Sequence, residues 1–270
     1  MKAQHLKIEA HTALYDKIYK KIRANIDFSP KKANQYFVLK TLIYGTLTLG
    51  SYALLFMIEN PFLFLLDYIL FGFIVVLLCF NFAHDLSHHS VLKKPFWNNF
   101  FFEIIYTMVG AHPEAWKNRH VHAHHFAPNV KYFDTDLAIS GLIRVIPDSE
   151  KKWFHRYQHL YAPFLYMSYS LYWVFVKDFV VLNLFRPKRK NQRLRYYSTF
   201  VFQKSMYLGY LLAIPMVFTD QPIWLIIVAF FVMHLVQSLY TLFTFFITHH
   251  VEESVYPDAD EGGIINTSWF

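Results

Sequence analysis

The sequence predicts an all-α integral membrane protein, with four transmembrane helices in two hairpins, interfacial helices and a cytoplasmic histidine-rich cap. Three observations carry that expectation. The 270 residues are 55% hydrophobic and 20% aromatic but only 17% charged, against about 25% charged in an ordinary soluble domain. Apolar runs close to the roughly 20 residues needed to cross a bilayer recur along the chain. Histidine pairs fall where such runs stop or shortly afterwards. The net charge of +7 adjoins apolar runs, which fits basic cytoplasmic faces. No nucleic-acid-binding motif accompanies it, so no nucleic-acid partner is expected. A lone cysteine, Cys79, excludes a disulfide framework.

The chain reads as one domain over 1–270. Residues 1–36 form a cytoplasmic N-terminus without a cleavable signal peptide, because the apolar run starts too late and is too long. Ile18, Ile22 and Ile26 recur every fourth residue among Lys17, Lys20, Lys21 and Arg23. That is the pattern of a basic amphipathic helix on an anionic membrane surface, and an ordinary solvated helix shares it. Residues 37–83 make the first hairpin: spans Phe37–Ile58 and Phe62–Ala83, joined by Glu59, Asn60 and Pro61. Residues 84–204 read as a cytoplasmic and interfacial catalytic region. In it, Pro95–Gly110 is aromatic yet too polar for a span, and Lys131–Lys152 is a polar excursion.

Parity sets the topology. The basic N-terminus and the basic stretch Arg186–Arg195 (RPKRKNQRLR) both belong on the cytoplasmic side. Two crossings return the chain to that side at His84, so Tyr161–Leu184 cannot cross once and reads as interfacial or re-entrant. Lys177 and Asp178 inside it agree, since charges in lipid are costly. The second hairpin occupies 205–248, with runs Met206–Phe218 and Ile223–Ile247 turning at Thr219–Pro222; residues 249–270 follow on the cytoplasmic side.

The histidines carry the chemistry. His84, His88 and His89 stand in HDLSHH; His120, His124 and His125 stand in HVHAHH. On a helix, positions i and i+4 share a face, so His84 with His88, and His120 with His124, can each point two imidazoles at one metal. His89 and His125 lie about 100° further round and could reach a second metal or a bridging position. A catalytic zinc takes three protein ligands and a structural zinc four, so two clusters of three suit two metals. His249 or His250, after the last span, falls on the same predicted side and can join them. Asp85 is the candidate hydrogen-bond partner for a ligand imidazole. His155 and His159 repeat the spacing without a following pair and read as structural or interfacial; His234, inside a span, reads as an interhelical hydrogen-bonding residue. Nitrogen-rich ligation suits a redox metal that activates dioxygen. Its place beside lipid suggests a substrate with a long apolar chain.

HDLSHH at 84–89, WKNRHVHAHH at 116–125, THHVEESVYP at 248–257 and the later IINTSW resemble the membrane fatty acid desaturases, of the linoleoyl-CoA or front-end type. The resemblance runs from the first hairpin to Phe270. It implies two non-haem irons, with dioxygen as co-substrate and electrons from a separate donor of the ferredoxin or cytochrome b5 type. The reaction implied is introduction of a double bond into a long fatty acyl chain held on CoA, a carrier protein or a phospholipid. By position, His84, His88, His89, His120, His124, His125 and His249 are the implied iron ligands, and His122 is a bystander. The family's third histidine motif, HxxHH or QxxHH, does not occur before Phe270, so the chain is expected to be truncated ahead of it. No HPGG motif of a cytochrome b5-like domain is present either. A membrane di-iron hydroxylase acting on a lipid or hydrocarbon uses the same ligand spacing. A metal transporter or sensor would place its ligands near the bilayer midplane, whereas these follow the ends of spans. The clusters are expected at the cytoplasmic face of a bacterial inner membrane or the endoplasmic reticulum.

Overall fold

The computed structural model describes residues 4–5, 8–26, 30–131, 133–134, 137, 141–246, 251 and 254–265. Helix dominates. Among the described residues, four helices are long and apolar enough to cross a membrane: Gln35–Leu54, Pro61–Ser87, Lys190–Phe218 and Ile223–Phe245. A fifth candidate, Trp153–Met167 followed by Tyr169–Leu184, is bent by 68° at its break. That bend falls in the run for which parity requires an interfacial or re-entrant path.

Helix α1 (Glu9–Asn25) buries none of its residues, and Ile18, Ile22 and Ile26 stay exposed. Helix α2 (Pro30–Leu54) leads into the turn before α3 (Pro61–Leu78). Asn60 caps α3, accepting the amide hydrogens of Phe62 at 3.0 Å and Leu63 at 3.1 Å, while Pro61 occupies a first-turn position where no amide donor is needed. The helix continues through a π-helical turn, Cys79–Ala83, into α4 (His84–Ser87). Next come α5 (Pro95–Met108) and α6 (Pro113–Arg119), the latter running into a second π turn, His120–His124. The bent pair comprises α7 (Gln158–Met167), α8 (Tyr169–Tyr172) and α9 (Asp178–Leu184).

The third candidate span starts sixteen residues before the apolar run Met206–Phe218 that marked it in the sequence. Helix α10 (Lys190–Leu208) passes through the π turn Gly209–Ala213 into α11 (Ile214–Phe218). No glycine or proline lies between Lys190 and Leu208, so nothing stops the basic stretch from extending the helix, and Lys190–Arg195 becomes its first turns. Helix α12 (Ile223–Thr241) completes the set.

Phe64, Tyr68, Phe71, Tyr207, Leu211, Ile226 and Met233 form the centre of the core. Helices α3 and α12 touch at Gly72, where a Cβ would stand 2.0 Å from Cγ of Met233; Gln237 Nε2 donates to the Gly72 carbonyl at 2.9 Å. The π turn in the third span also acts as a hydrogen-bond acceptor. Tyr52 donates to the Tyr210 carbonyl at 2.8 Å and Tyr68 to the Leu211 carbonyl at 2.5 Å, so carbonyls loosened from the regular ladder stay satisfied away from water. His234 sits between helices, its Nε2 2.7 Å from the Tyr207 hydroxyl and its Nδ1 2.8 Å from Ser170 Oγ. His155 braces a loop, Nδ1 accepting from the Lys152 amide at 3.1 Å. Near the chain ends, β1 (Gln4–His5) pairs in parallel with β2 (Ile264–Ile265), and buried Ile265 packs with Ala127 and Val130 just after the second histidine motif.

Candidate metal centre

Two helix ends meet to make the site. His84 and His88 come from the end of the second span, His120 and His125 from the end of α6. One ring nitrogen of each of these four histidines lies within 4.8 Å of the others. His120 Nε2 is 3.4 Å from His84 Nε2 and 3.0 Å from His125 Nε2. Four nitrogens held tetrahedrally about 2.0–2.1 Å from one ion stand about 3.4 Å apart, so this donor set fits a metal. His120 is buried, His84 half-buried, and His88 and His125 exposed. Packing of the rings among one another desolvates them and disfavours the charged form. His125 is pushed down to about 4, by burial first and then by His120, His88, His124 and His84. His88 is also held below the ordinary imidazole range, by burial and then by His84. Both rings are neutral near pH 7 and offer lone pairs.

The pairing differs from the one that α-helical spacing suggests. His120 groups with His125 rather than with His124. The cause is the π turn: the His125 amide donates to the His120 carbonyl at 3.0 Å, and a ring closed over five residues brings i and i+5 onto one side. His124 is thereby turned elsewhere. Its Nδ1 lies 2.8 Å from Asp134 Oδ2, and both residues are buried. The same carboxylate oxygen accepts the Asn129 amide hydrogen at 2.8 Å. A carboxylate on one imidazole nitrogen leaves the other available to a metal. Asp134 is the residue that sequence reasoning missed. It sits ten positions after His124 in a polar stretch, and spacing alone gives it no distinction from Asp136 or Asp148.

His89 also stands outside the four. Its φ of 55° is a left-handed value that turns the chain sharply, and its Nε2 lies 2.9 Å from Asn99 Oδ1 and 3.1 Å from Lys117 Nζ. Asp85 Oδ1 is 3.8 Å from His84 Nδ1, and its Oδ2 is 3.4 Å from Lys40 Nζ. His122 is exposed. His249 and His250 lie outside the described residues. Aromatic packing fixes the buried side of the site: Trp116 stacks on His120 with centroids 4.4 Å apart and planes 26° apart, and Tyr106 packs against Trp116 at 4.6 Å.

Comparison with known proteins places the chain in a family. The chain is 28% identical over 265 residues to the acyl-lipid (8-3)-desaturase of Mortierella alpina, covering 90% of this chain and 56% of that protein. It is 26% identical over 262 residues to acyl-lipid (8-3)-desaturase B of Dictyostelium discoideum, covering 93% and 55%. It is 28% identical over 201 residues to the sn-1 linoleoyl-lipid 6-desaturase of Arthrospira platensis, covering 73% and 54%. The chain therefore spans about half the length of these relatives. Residues 58–270, which hold both histidine motifs and the elements that bring them together, match the fatty acid desaturase family, and the chain belongs to it.

Proposed function

We propose that this chain takes part in dioxygen-dependent desaturation of a long fatty acyl chain carried on a membrane lipid. The observation that carries the reading is the convergence of His84, His88, His120 and His125 at the end of the second candidate span. The names of the relatives, acyl-lipid and linoleoyl-lipid desaturases, favour a lipid-borne acyl group over acyl-CoA. These four histidines would hold one iron. His124, with Asp134 on its Nδ1, and His89 and His249 are the proposed ligands of a second. Iron bound there supplies the reduction of dioxygen, with two electrons from a separate donor of the ferredoxin or cytochrome b5 type, that converts a methylene pair to a double bond and yields water.

The protein's own contribution is placement. Neutral imidazoles hold the ions, Trp116 and Tyr106 close the inner side against water, and the spans leave the acyl chain in lipid beside the site. Both histidine motifs would face the cytoplasm, as the basic N-terminus and Arg186–Arg195 require.

The test is product and metal analysis of cells expressing the intact gene with a suitable electron donor. The expected outcome is an acyl chain with one additional double bond and iron in the purified protein, with the product lost and the iron content reduced in His88→Ala. A hydroxylated product instead of the alkene would make this a hydroxylase, and full iron content in His88→Ala would overturn the ligand assignment.

A further inference from the structure

A second polar site lies at the other end of α6. A cleft of about 540 Å³ opens between the C-terminal half of α5, the start of α6 and the first turns of α10, within the range of small-ligand sites. Its floor is formed by His112, Tyr196 and Gln203, exposed by 1%, 3% and 8%. Its rim carries Glu103, Glu114 and Arg195, all exposed. His112 directly precedes α6 and His120 directly follows it, a separation of about 12 Å along a helix of 1.5 Å rise per residue. The cleft is thus distinct from the metal centre.

Two floor atoms, His112 Nε2 and the Tyr196 hydroxyl, are buried and have no hydrogen-bond partner among the described residues, which is costly unless a ligand completes them. The His112 tautomer follows from its other nitrogen. Nδ1 lies 2.7 Å from Gln203 Oε1, an oxygen that only accepts, so Nδ1 carries the hydrogen. Burial holds this imidazole below its ordinary range, so the ring is neutral and Nε2 is a bare acceptor. The rim sets two carboxylates against one guanidinium. Partial desolvation by the cleft wall and the neighbouring Glu103 push the Glu114 carboxyl up, although the residue as a whole is exposed, and Arg195 opposes them. Two carboxylates that repel one another beside unpaired acceptors favour a cation with N–H donors.

We propose that this cleft binds the head group of an aminophospholipid, its primary ammonium at Glu103, Glu114 and the His112 acceptor and its phosphate at Arg195. The Tyr196 hydroxyl completes the floor. Arg195 closes the basic stretch Arg186–Arg195, the kind of segment that meets lipid phosphates at a membrane surface. A quaternary ammonium carries the same charge without N–H groups, so the site discriminates ethanolamine from choline lipids.

The experiment is a calorimetric titration of the purified full chain in non-ionic detergent. The probes are dihexanoyl phosphatidylethanolamine, phosphatidylcholine and phosphatidic acid. Phosphatidylethanolamine is expected to bind at least about tenfold tighter than either other lipid, from loss of charge-assisted hydrogen bonds in one and of the ammonium in the other. Glu114→Gln is expected to weaken it about tenfold, and Tyr196→Phe about fivefold. Neither variant removes a partner that the fold uses: Glu114 is exposed and the Tyr196 hydroxyl is unpaired. Bound iron, unchanged in both variants, reports that α6 is intact and separates this test from the desaturase reading. Equal affinity for ethanolamine and choline lipids would overturn the proposal. So would phosphatidic acid binding as tightly as phosphatidylethanolamine, or Glu114→Gln binding undiminished.

Discussion

Which imidazole nitrogen faces the ion is decided by what holds the other one. At His124 that partner is Asp134, at 2.8 Å and buried with it. Asp134→Asn keeps the shape but removes the charge that favours a hydrogen on Nδ1, and losses of this kind typically reduce metal affinity about 10- to 100-fold. Competition with a chelator measures it. Asp85→Asn is expected to cost less, because Asp85 stands 3.8 Å from His84 Nδ1. The proposed ligand set has its own control: His120→Ala is expected to abolish metal loading while His122→Ala, at an exposed position in the same turn, is expected to leave it intact. Atomic absorption on the two purified variants decides, and equal loading would refute the assignment. At this scale the repeated spacing pointed to a set of histidines of which the structure brings four, His84, His88, His120 and His125, together. The spacing concealed their grouping, because an i, i+4 argument assumes an uninterrupted α-helix and a π turn leaves no residue signature to contradict it.

Helix packing explains how two distant motifs meet. Lys204 in α10 contacts Asp178 Oδ2 at 2.7 Å and donates to the Val174 and Gly110 carbonyls at 2.7 and 2.5 Å. Asp178 also accepts the His112 amide at 2.8 Å and the Trp173 indole at 3.0 Å. The start of α6 is thereby pinned to α9 and α10, and α6 in turn aims His120. Lys204→Met strands a buried carboxylate, a change that costs about 3–5 kcal/mol, and its thermal midpoint in detergent should fall accordingly. Replacing Asp178 by Asn together with Lys204→Met should restore part of the loss, since neither charge then lacks a partner. The α3–α12 contact gives a second element-scale prediction. Gly72→Ala places a methyl group against Met233, and overpacking of this kind costs about 1–3 kcal/mol. A midpoint unchanged from the parent would show that these helices do not approach as closely as 2.0 Å implies. Element existence was legible because 20-residue apolar runs have few alternative uses. The early start of the third span was not, because a hydropathy pattern marks the lipid-facing part of a helix and is blind to its continuation through Arg193 and Tyr196.

The whole molecule works only if both histidine motifs stand at one aqueous edge. The described spans make this a geometric requirement: His84 lies in the last turn of the second candidate span, and ring nitrogens of His84, His88, His120 and His125 lie within 4.8 Å of one another. The turn joining the third and fourth spans, at Asp220, lies at the opposite end of the hairpin. Single cysteines at Ser90, His122 and Asp220, all exposed, test the arrangement in a Cys79→Ser background. An impermeant thiol reagent added to sealed vesicles of one orientation should modify Ser90→Cys and His122→Cys together, and Asp220→Cys only from the other side. If Ser90→Cys and His122→Cys instead reacted from opposite sides, α4 and α6 could not share an ion, and the bent segment Trp153–Leu184 would have to cross the bilayer to reconcile the chain with its own basic ends. Same-side labelling of Ser90→Cys and His122→Cys together with opposite-side labelling of Asp220→Cys, by contrast, fixes that segment as a structure that enters and leaves by one face, because the third span then supplies the one crossing between His122 and Asp220. The proposed acyl substrate would then have a lipid-lined approach to the histidines from within the membrane, with the aqueous side left to the other reactants.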